Sequence, residues 1–558
     1  MIKYKKTRIY FLFLILNSFI LFFSGLFIEE IYKLQFSNSE YFRNQALSYR
    51  EKTEVIEARR GSILDRNYNE VANTVNAFNI GINPSKITNK KEISDILSPL
   101  LKIDKKLILQ RLNDNKNYFY LKRNITFDIG MKIKKWDYEG INIEPSNKRV
   151  IYTESLNKII GHVDPDGNGV EGLELYFDNT LKGINGELTY EAAPNGLLIP
   201  QGDIKTIDPI HGEDLLLSLD ADLQYLSEEL CDEALDRTGA FKCSVVFANA
   251  ETGEIIISAE KSSRDNKYFN INLISGRALY EPGSALKIFT IGSLLDQGIV
   301  NEDYKYTVED EIEIIDSSCD SLYDGLKGCF NDFLKHETYE LSVKEIIERS
   351  SNVGTIKITK DSSVLEIEEY LKKFGFGQKS GVELTGEAKG GFVSYKRCLT
   401  CLSSLSIGYS INVSQYQMIR AYSIIANGGK DVKLTLVQKD KIETQGYKVI
   451  SSEMSNRLKM LLINVVEGEN GTGKSLRKEG YVIGGKTGTS RTYLEGVGYS
   501  EDRFNTSFTG FVETKEGPVV GSVLLWGAKT NPTSEYVTGG STAAPIFKKI
   551  ISYFVPKE

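Results

Sequence analysis

The sequence predicts an α+β protein with a single N-terminal transmembrane helix, an extended polar module and a larger C-terminal domain. Residues 9–28 are apolar and uncharged, residues 207–214 form a break rich in Pro, Gly and acidic residues, and helical and strand-like runs are mixed beyond that break. A chain of 558 residues is also too long for one core, because single cores stop growing near roughly 250 to 300 residues. We therefore predict several folded modules.

The composition is that of a globular protein. Hydrophobic residues make up 41% of the chain and charged residues 26%, so the chain can bury real cores. The net charge is -7, from 68 Lys and Arg against 75 Asp and Glu, and the basic residues are scattered. Nucleic acid is therefore not an expected partner, because nucleic-acid binding needs clustered basic residues.

The apolar run "IYFLFLILNSFILFFSGLFI", residues 9–28, predicts an uncleaved membrane anchor. At ~1.5 Å per residue it spans about 30 Å of hydrocarbon. The apolar part of a cleaved signal is shorter, about 7 to 15 residues, and no small-x-small cleavage site follows. Basic residues precede the run and acidic residues follow it: Lys3, Lys5, Lys6, Arg8, then Glu29 and Glu30. The positive-inside rule then predicts that residues 1–8 are a cytoplasmic tail and that the bulk of the chain is extracytoplasmic.

Residues 29–213 predict an extended α+β pedestal module. They are rich in Asn, Lys and Ile and are broken by turn clusters such as "NPSKITNKK" and "DPDGNG". Short β-like runs such as "FNIGI" and "GELTYEAA" lie between the turns.

Residues 214–558 predict a second domain in which helices flank a mostly antiparallel sheet. "LDADLQYLSEELCDEAL" has helical spacing, and "CSVVFANAETGEIIISAE" has the pattern of a hairpin. "YVIGGKTGTS", "NTSFTGFVE" and "PVVGSVLLWG" predict further strands before a closing helix, "TAAPIFKKIISYF".

Ser284 and Lys287, in "YEPGSALKIFT", are candidates for a nucleophile and its base. Their spacing puts both side chains on one face of a predicted helix that ends near Gly298, with free backbone N–H groups at its start. A lysine can activate a serine when burial or nearby positive charge keeps the amine neutral. The pattern alone is weak, because Ser-x-x-Lys also occurs at Ser155 and Ser475.

Two further motifs follow Ser284 in order. Ser350-Ser351-Asn352 lies where two predicted helices meet, and "KTGT", Lys486 to Thr489, lies on a predicted strand. Taken singly, these motifs can be a helix cap, a turn and a bulged strand. Together, Ser-x-x-Lys, Ser-x-Asn and Lys-Thr-Gly are the motif set of penicillin-binding proteins and serine β-lactamases.

The sequence resembles a class B penicillin-binding protein over nearly its whole length, whether of the elongation, division or sporulation type. Four further segments carry the resemblance: "EARRGSILDRNYNEVA", "GVEGLELYFDNTLKGINGE", "LSLDADLQ" and "SIGYSINVSQYQMIRAYSIIANGG". The resemblance implies one membrane anchor, a pedestal or dimerisation domain and a transpeptidase domain. It also implies D,D-transpeptidation of peptidoglycan stem peptides and covalent inhibition by β-lactams. A glycosyltransferase of the SEDS family is the partner that the resemblance implies.

The resemblance also implies residue roles. Ser284 would be acylated and Lys287 would be its base. Ser350 would relay a proton, and Asn352 would hold the substrate amide. Lys486 would supply positive potential, while the substrate-binding residues would be Thr487, Gly488 and Thr489, with the Ser284 and Thr489 N–H groups as oxyanion hole. The second Ser-x-Asn, at residues 410–412, is a weaker rival because no amphipathic helix precedes it.

Two alternatives to this enzyme stay open. A non-catalytic penicillin-binding scaffold or sensor would keep the fold, although inert scaffolds usually lose the nucleophile. A serine β-lactamase needs a base for deacylating water, and no E-x-x-L-N segment occurs. The P-loop pattern "GENGTGKS", residues 468–475, predicts no nucleotide site, because a predicted helix rather than a strand precedes it.

The six cysteines allow disulfides, free thiols or a structural zinc site. Catalysis itself needs no cofactor in this interpretation. Cys398 and Cys401 form a C-x-x-C, and His336 follows Cys329. These four residues could complete a tetrahedral zinc site, with Asp332 or Cys319 as substitute ligands.

Overall fold

The structure is a computed structural model. It describes residues 2–555, apart from residues 38–39, 42–49, 115–116, 194–198, 200–203, 264–273, 316–318, 320–327, 395–397, 439–445, 495, 497 and 530–536. Statements about absent contacts below refer to this described part of the chain.

The chain begins with a helix over Ile2–Tyr32. Its segment Arg8–Tyr32 is long and apolar enough to cross a membrane, and none of it is buried against the rest of the protein. An apolar helix that packs against nothing needs a nonpolar environment such as lipid. The helix continues beyond the predicted span 9–28 at both ends.

Two compact units make up the chain, and the first combines Met1–Arg60 with Lys182–Gly212. Its sheet has three antiparallel strands, in the spatial order Glu51–Ile56, Gly186–Glu191 and Ile204–Ile207. The predicted strand "GELTYEAA" is the central one of these.

The second unit combines Gly61–Leu181 with Glu213–Glu558. Part of the predicted pedestal therefore belongs to the same compact unit as the C-terminal residues. The predicted domain boundary between residues 213 and 214 stays a prediction. A five-stranded sheet built on Glu70–Ile82 takes four strands from the part before residue 182 and one strand from the residues after 213. The other strands of this sheet are Ile63–Leu64, Phe119–Thr126, Ile141–Ile151 and Leu215–Leu216. Its main helices are Lys90–Leu101, Lys105–Asp114 and Phe127–Lys134.

The second unit also contains a five-stranded antiparallel sheet that carries the candidate site, which confirms the α+β prediction. The spatial order of its strands is Ile255–Ser262, Lys242–Asn249, Val519–Lys529, Gly498–Val512 and Ile483–Leu494. The longer helices around it are Ala221–Thr238, Lys287–Asp296, Val364–Lys373, Gln415–Ala426, Ser452–Glu467 and Gly539–Ile551.

Apolar residues on both faces of this sheet explain why helices cover it. On one face Phe547, from the C-terminal helix, lies 5.2 Å from Phe247 and 4.8 Å from Phe508 between ring centroids. On the other face Trp526 packs edge-on against Tyr280, at 5.5 Å. Burying such rings is the main stabilising contribution of a core of this kind. The strand Ile483–Leu494 lies at the edge of the sheet, so one side of its backbone has no neighbouring strand.

Candidate active site

Ser284 lies in a short 3₁₀ turn, Gly283–Leu286, that leads directly into the helix Lys287–Asp296. The sequence predicts one continuous helix from Ser284, and the tighter first turn is the difference. Gly283 has φ of +53°, a conformation that glycine adopts without strain. This geometry turns the chain sharply before Ser284 and leaves the serine at the start of the helical segment, where backbone N–H groups have no intrahelical partner.

The serine turn lies against the edge strand. Ser490 Oγ donates a hydrogen bond to the carbonyl of Glu281 at 2.9 Å. At Gly488 an added Cβ would lie 2.3 Å from Ser507 Oγ and 2.9 Å from the carbonyl oxygen of Pro282. A side chain at position 488 therefore has no room, and glycine permits the close approach of strand and turn.

We expect Gly488→Ala to lower the rate of acylation by β-lactams about 10²-fold, because a displacement near 1 Å can cost that much. The added methyl group must push the strand away from the serine turn. Stopped-flow measurement with a fluorescent penicillin checks the rate. Gly391→Ala is the matched control, since a Cβ at Gly391 meets nothing within 4 Å. An acylation rate for Gly488→Ala equal to that of the control would contradict this account.

Lys287 is fully buried, and its amine faces the second motif. The amine donates to the carbonyl of Ser350 at 2.6 Å and to Asn352 Oδ1 at 2.7 Å. Burial lowers the pKa of Lys287 to about 7, against the opposing charge of Asp332. A neutral amine has two N–H groups and one lone pair, so these two bonds leave the lone pair free to accept a proton.

No hydrogen bond joins Ser284 Oγ to Lys287 Nζ within the described residues. The free lone pair can take the proton of the Ser284 hydroxyl, which lies three residues earlier in the chain. Hydrogen bonds of catalytic groups often tighten only when substrate binds. The structure thus holds the proposed base through Asn352 and the Ser350 carbonyl, and not through the serine itself.

Acylation should rise with pH through about pH 7. Lys287 acts as a base only when it is deprotonated, and a pKa of about 7 makes it mostly protonated below that pH. The logarithm of the acylation rate should therefore increase with a slope near one between pH 5 and about 6.5, and should level off above about pH 8. Initial rates of acylation at saturating penicillin across this range check the profile. A midpoint near 10, the ordinary value for lysine, would contradict the assignment of the base.

The second motif forms the junction between the helices Val343–Arg349 and Asn352–Ile358, as the sequence predicts. Ser350 has φ of +61°, a left-handed conformation that ordinary residues rarely adopt. This conformation directs its hydroxyl toward the edge strand, where Ser350 Oγ accepts a hydrogen bond from Lys486 Nζ at 2.7 Å. Ser350 therefore contacts both lysines, Lys287 through its carbonyl and Lys486 through its hydroxyl.

The third motif lies on the edge strand, Ile483–Leu494. Lys486 is fully buried, and burial together with the charge of Lys287 holds its pKa well below the ordinary value. Its amine also lies 3.3 Å from Thr487 Oγ1. Thr489, two residues further along the strand, is partly exposed and accepts from the N–H of Gly539 at 3.4 Å.

The structure thus joins four of the predicted catalytic residues in one hydrogen-bonded centre: Lys287, Ser350, Asn352 and Lys486. Ser284 lies on the turn one helical turn before Lys287, outside these hydrogen bonds. The substrate-binding candidates Thr487, Gly488 and Thr489 line its strand side. The rival at residues 410–412 lies beside the serine turn, where the N–H of Ser410 donates to Glu281. Its residues Ile411–Asn412 pair with Gly391–Phe392, and no hydrogen bond to Lys287 or Lys486 is seen within the described residues.

The P-loop pattern has the wrong structural context for a nucleotide. The helix Ser452–Glu467 precedes the pattern, and the last residues of the pattern begin the 3₁₀ turn Lys474–Leu476. A phosphate-binding P-loop needs a strand before it and a helix after it. The segment instead contributes to the centre through Thr472, two residues before the 3₁₀ turn, which accepts a hydrogen bond from the Thr487 hydroxyl at 2.9 Å.

The cysteines of the predicted zinc ligand set are paired as disulfides in the structure. Cys398 pairs with Cys401, Cys329 pairs with Cys319, and Cys231 pairs with Cys243. All six cysteines are in these disulfides, so none offers a thiolate to a metal. His336 instead contacts Asp332 at 3.0 Å and stacks on Tyr339.

Sequence reasoning missed two residues that support the centre. Asp332 received attention as a substitute metal ligand, yet it binds the second motif. Thr472 lies in the discounted P-loop pattern. Neither residue has a motif of its own, and contacts of this kind between distant segments leave no local signal in a single sequence.

The geometry points to a class of protein: the three motifs of penicillin-binding proteins and serine β-lactamases meet on an antiparallel sheet flanked by helices. The comparisons with known proteins agree. Residues 243–552 match the penicillin binding protein transpeptidase domain, and residues 55–217 match the penicillin-binding protein dimerisation domain. The chain belongs to the penicillin-binding proteins, and its domain combination is that of class B.

Relatives match most of the chain at modest identity. Penicillin-binding protein PbpB of Mycolicibacterium smegmatis is 26% identical, with 95% of this chain and 87% of the relative covered. Peptidoglycan D,D-transpeptidase FtsI of Buchnera aphidicola is 29% identical, with 88% and 85% covered. Stage V sporulation protein D of Bacillus subtilis is 27% identical, with 90% and 78% covered.

Solved structures share the fold. Penicillin binding protein 3 of Mycobacterium tuberculosis, complexed with aztreonam, superposes with a TM-score of 0.65 at 22% identity. The superposition covers 90% of this chain and 96% of that one. A peptidoglycan synthetase from Bifidobacterium adolescentis gives a TM-score of 0.66 at 22% identity, with the same coverage.

Proposed function

We propose that the protein is a peptidoglycan D,D-transpeptidase that cross-links stem peptides through an acyl-enzyme and is inhibited by covalent β-lactam acylation. One observation carries the proposal: a buried lysine amine, held by two hydrogen-bond acceptors, lies one helical turn from a partly exposed serine. The names of several relatives, which are peptidoglycan D,D-transpeptidases, give the substrate class.

In the first half-reaction Ser284 Oγ attacks the carbonyl carbon between the two terminal D-Ala residues. Lys287 accepts the serine proton, and the N–H groups of Ser284 and Thr489 stabilise the negative oxygen of the tetrahedral intermediate. The C–N bond then breaks. The leaving amine of D-Ala takes the proton that Lys287 accepted, relayed through Ser350 Oγ, and this returns Lys287 to its neutral form. Ser350 Oγ itself accepts a hydrogen bond from Lys486 at 2.7 Å.

In the second half-reaction the amine of a neighbouring stem peptide attacks the acyl ester. Lys287 accepts the proton that this amine loses and returns it to Ser284 Oγ as the ester C–O bond breaks, and a new amide joins the two stems. Asn352 has its Oδ1 on Lys287, so it can orient the base in both halves. Positive potential from Lys486 and the hydroxyls of Thr487 and Thr489 would hold the terminal carboxylate of the donor.

The N-terminal helix would anchor the enzyme with residues 1–8 in the cytoplasm and the catalytic unit outside. The basic residues before the span and the acidic residues after it support this orientation. We also propose a SEDS-family glycosyltransferase as the partner that polymerises glycan, on the family resemblance. Protease protection of the chain in oriented vesicles tests the topology, and co-purification tests the partner.

The test of the proposed function uses the full-length chain in detergent micelles. The chain should form a covalent adduct with a fluorescent penicillin and should lose it slowly. It should also release D-Ala from a stem peptide analogue and transfer the acyl group to an added amine. Rapid loss of the label would indicate a β-lactamase, and adduct formation without any transfer would indicate a scaffold or sensor.

Zinc is a separate proposal that concerns the reduced chain. The proposed ligands are those predicted from the sequence: Cys329, His336, Cys398 and Cys401, with Asp332 or Cys319 as substitutes. Reduction of the two disulfides would free their thiolates, and Cys319 and Cys329 also lie within 4.8 Å of a carboxylate oxygen of Glu311. Metal analysis of chain purified with and without reductant tests it. Absence of stoichiometric zinc from both preparations ends the proposal.

A further inference from the structure

Asp332 connects a segment outside the three motifs to the second motif. It directly follows the strand Cys329–Asn331 and is buried, with 9% of its surface exposed. A buried carboxylate needs several hydrogen-bond donors or a cation to offset its desolvation. The donors that Asp332 finds are almost all in the residues that follow Ser350.

Both oxygens of the carboxylate are used. Oδ1 accepts from the backbone N–H groups of Asn352, at 2.5 Å, and Val353, at 3.0 Å. Oδ2 accepts from Ser351 Oγ at 2.7 Å and contacts His336 Nε2 at 3.0 Å. Asp332 therefore holds the N-terminal turn of the helix Asn352–Ile358, where N–H groups have no intrahelical partner.

The neighbouring residue sets the orientation of the Asn352 amide. Asn352 Nδ2 donates to the carbonyl of Asn331 at 2.9 Å, and this leaves Oδ1 pointing at Lys287. The segment 331–332 thus binds Asn352 at its backbone and at its side chain. With these contacts the base Lys287 has a fixed hydrogen-bond acceptor.

The turn that Asp332 holds is one that the chain would not favour by itself. Ser350 has a left-handed conformation, which is costly for a residue with a side chain. That conformation is what brings Ser350 Oγ to Lys486 and the Ser350 carbonyl to Lys287. The hydrogen bonds that residues 351–353 donate to Asp332 compensate for the conformational cost at Ser350.

We propose that Asp332 is a positioning residue for acyl transfer: it holds the Ser350 to Asn352 turn so that Lys287 keeps the geometry of a base. The inference rests on the proposed function. Asp332 acts through the location of its carboxylate and the four contacts of that group. Moving the carboxylate should therefore lower the acylation rate more than removing its charge does.

Two substitutions separate location from charge. Asp332→Asn keeps the shape and an oxygen that can accept from both backbone N–H groups. Asp332→Glu keeps the charge but lengthens the side chain by one methylene group. We expect Asp332→Glu to lower the acylation rate constant more than ten-fold, with pre-acylation binding of penicillin within three-fold of wild type. Asp332→Asn should stay within about three-fold in both quantities.

The matched control is Asp220→Ala in the same compact unit. Asp220 Oδ1 also caps a helix, by accepting from the N–H groups of Asp222 and Leu223 at 3.1 and 3.0 Å. Its loss should lower the melting temperature and leave the acylation rate constant unchanged. Rates are divided by the fraction of chain that penicillin titrates after long incubation, so unfolded protein does not count.

The outcomes decide the inference separately from the proposed function. If the wild-type chain forms no adduct at Ser284, the proposed function fails. If wild type is acylated and Asp332→Glu reacts as fast per titrated site, or if Asp332→Asn is slowed as much as Asp332→Glu, positioning by Asp332 is wrong.

Should Asp332→Glu not fold, Ser351→Ala carries the test, because it removes the hydroxyl that Oδ2 binds. A three-fold slower acylation supports the inference, and an unchanged rate overturns it.

Discussion

Replacing Ser284 by alanine should abolish covalent labelling of the full-length chain by a fluorescent penicillin. Alanine has no oxygen to form the ester, so no acyl-enzyme can accumulate whatever the other residues do. Denaturing gel electrophoresis after incubation checks the result, because only a covalent adduct survives it. Transfer of a stem peptide to an added amine should be lost together with the label.

The chain offers two matched controls for this experiment. Ser155 and Ser475 also begin Ser-x-x-Lys patterns, with Lys158 and Lys478. Each of those lysines has its own polar partner, Glu260 for Lys158 and Ser552 for Lys478. Ser155→Ala and Ser475→Ala should therefore label as wild type does. Labelling that persists in Ser284→Ala and disappears in either control would move the nucleophile elsewhere.

Replacing Lys287 by methionine should slow acylation by about 10³-fold, within the range of ~10² to 10⁴ usual for loss of a general base. Methionine fills a similar volume without an amine, so the substitution removes the proton acceptor with little change in packing. The remaining rate should also lose its dependence on pH near 7. Burst kinetics with penicillin at several pH values measure both effects.

Lys242→Met is the control for loss of a buried lysine. Lys242 is also buried, at 4% exposure, and burial likewise lowers its pKa, but it lies on the strand Lys242–Asn249, outside the hydrogen-bonded centre. Its substitution should change the melting temperature and leave the acylation rate within about two-fold. A loss similar to that of Lys287→Met would mean that the rate reports general damage to the fold.

The local sequence pattern was sufficient to predict the helices and the strand that carry the motifs. The helix junction at Ser350 to Asn352 follows from two amphipathic runs, each with its own cap: Ser342 and Ser351 begin the two helices by capping them. The strand of Lys486 follows from a glycine-rich apolar run. These features depend on residues close in the chain, and periodicity detects them.

Contacts between distant segments were not predictable in the same way. Cys398 and Cys401 have a spacing that suits both a zinc site and a disulfide, and sequence alone does not distinguish them. The partner of Cys329 depends on the path of the chain between two strands. The grouping of Gly61–Leu181 with the C-terminal part likewise depends on tertiary packing, because compactness is a property of the whole unit.

The interaction of Lys287 shows the same limit at the site itself. Spacing on a helix predicts that Lys287 faces Ser284, and the structure brings its amine to Asn352 and Ser350, which are more than 60 residues away. Helical spacing cannot reveal that contact. The motif set identifies the participants, and the fold decides which atoms they bind.

The two buried amines have a consequence for how the enzyme responds to acidity. Both lysines have lowered pKa values because water is excluded around them, and Lys486 is lowered further by the other amine. A bound carboxylate favours the charged form of a nearby amine, so ligand capture is accompanied by proton uptake. Acidification should therefore strengthen docking of an anionic peptide while it weakens attack on that peptide. Turnover at subsaturating substrate is consequently greatest at an intermediate proton concentration, where the two opposing trends balance.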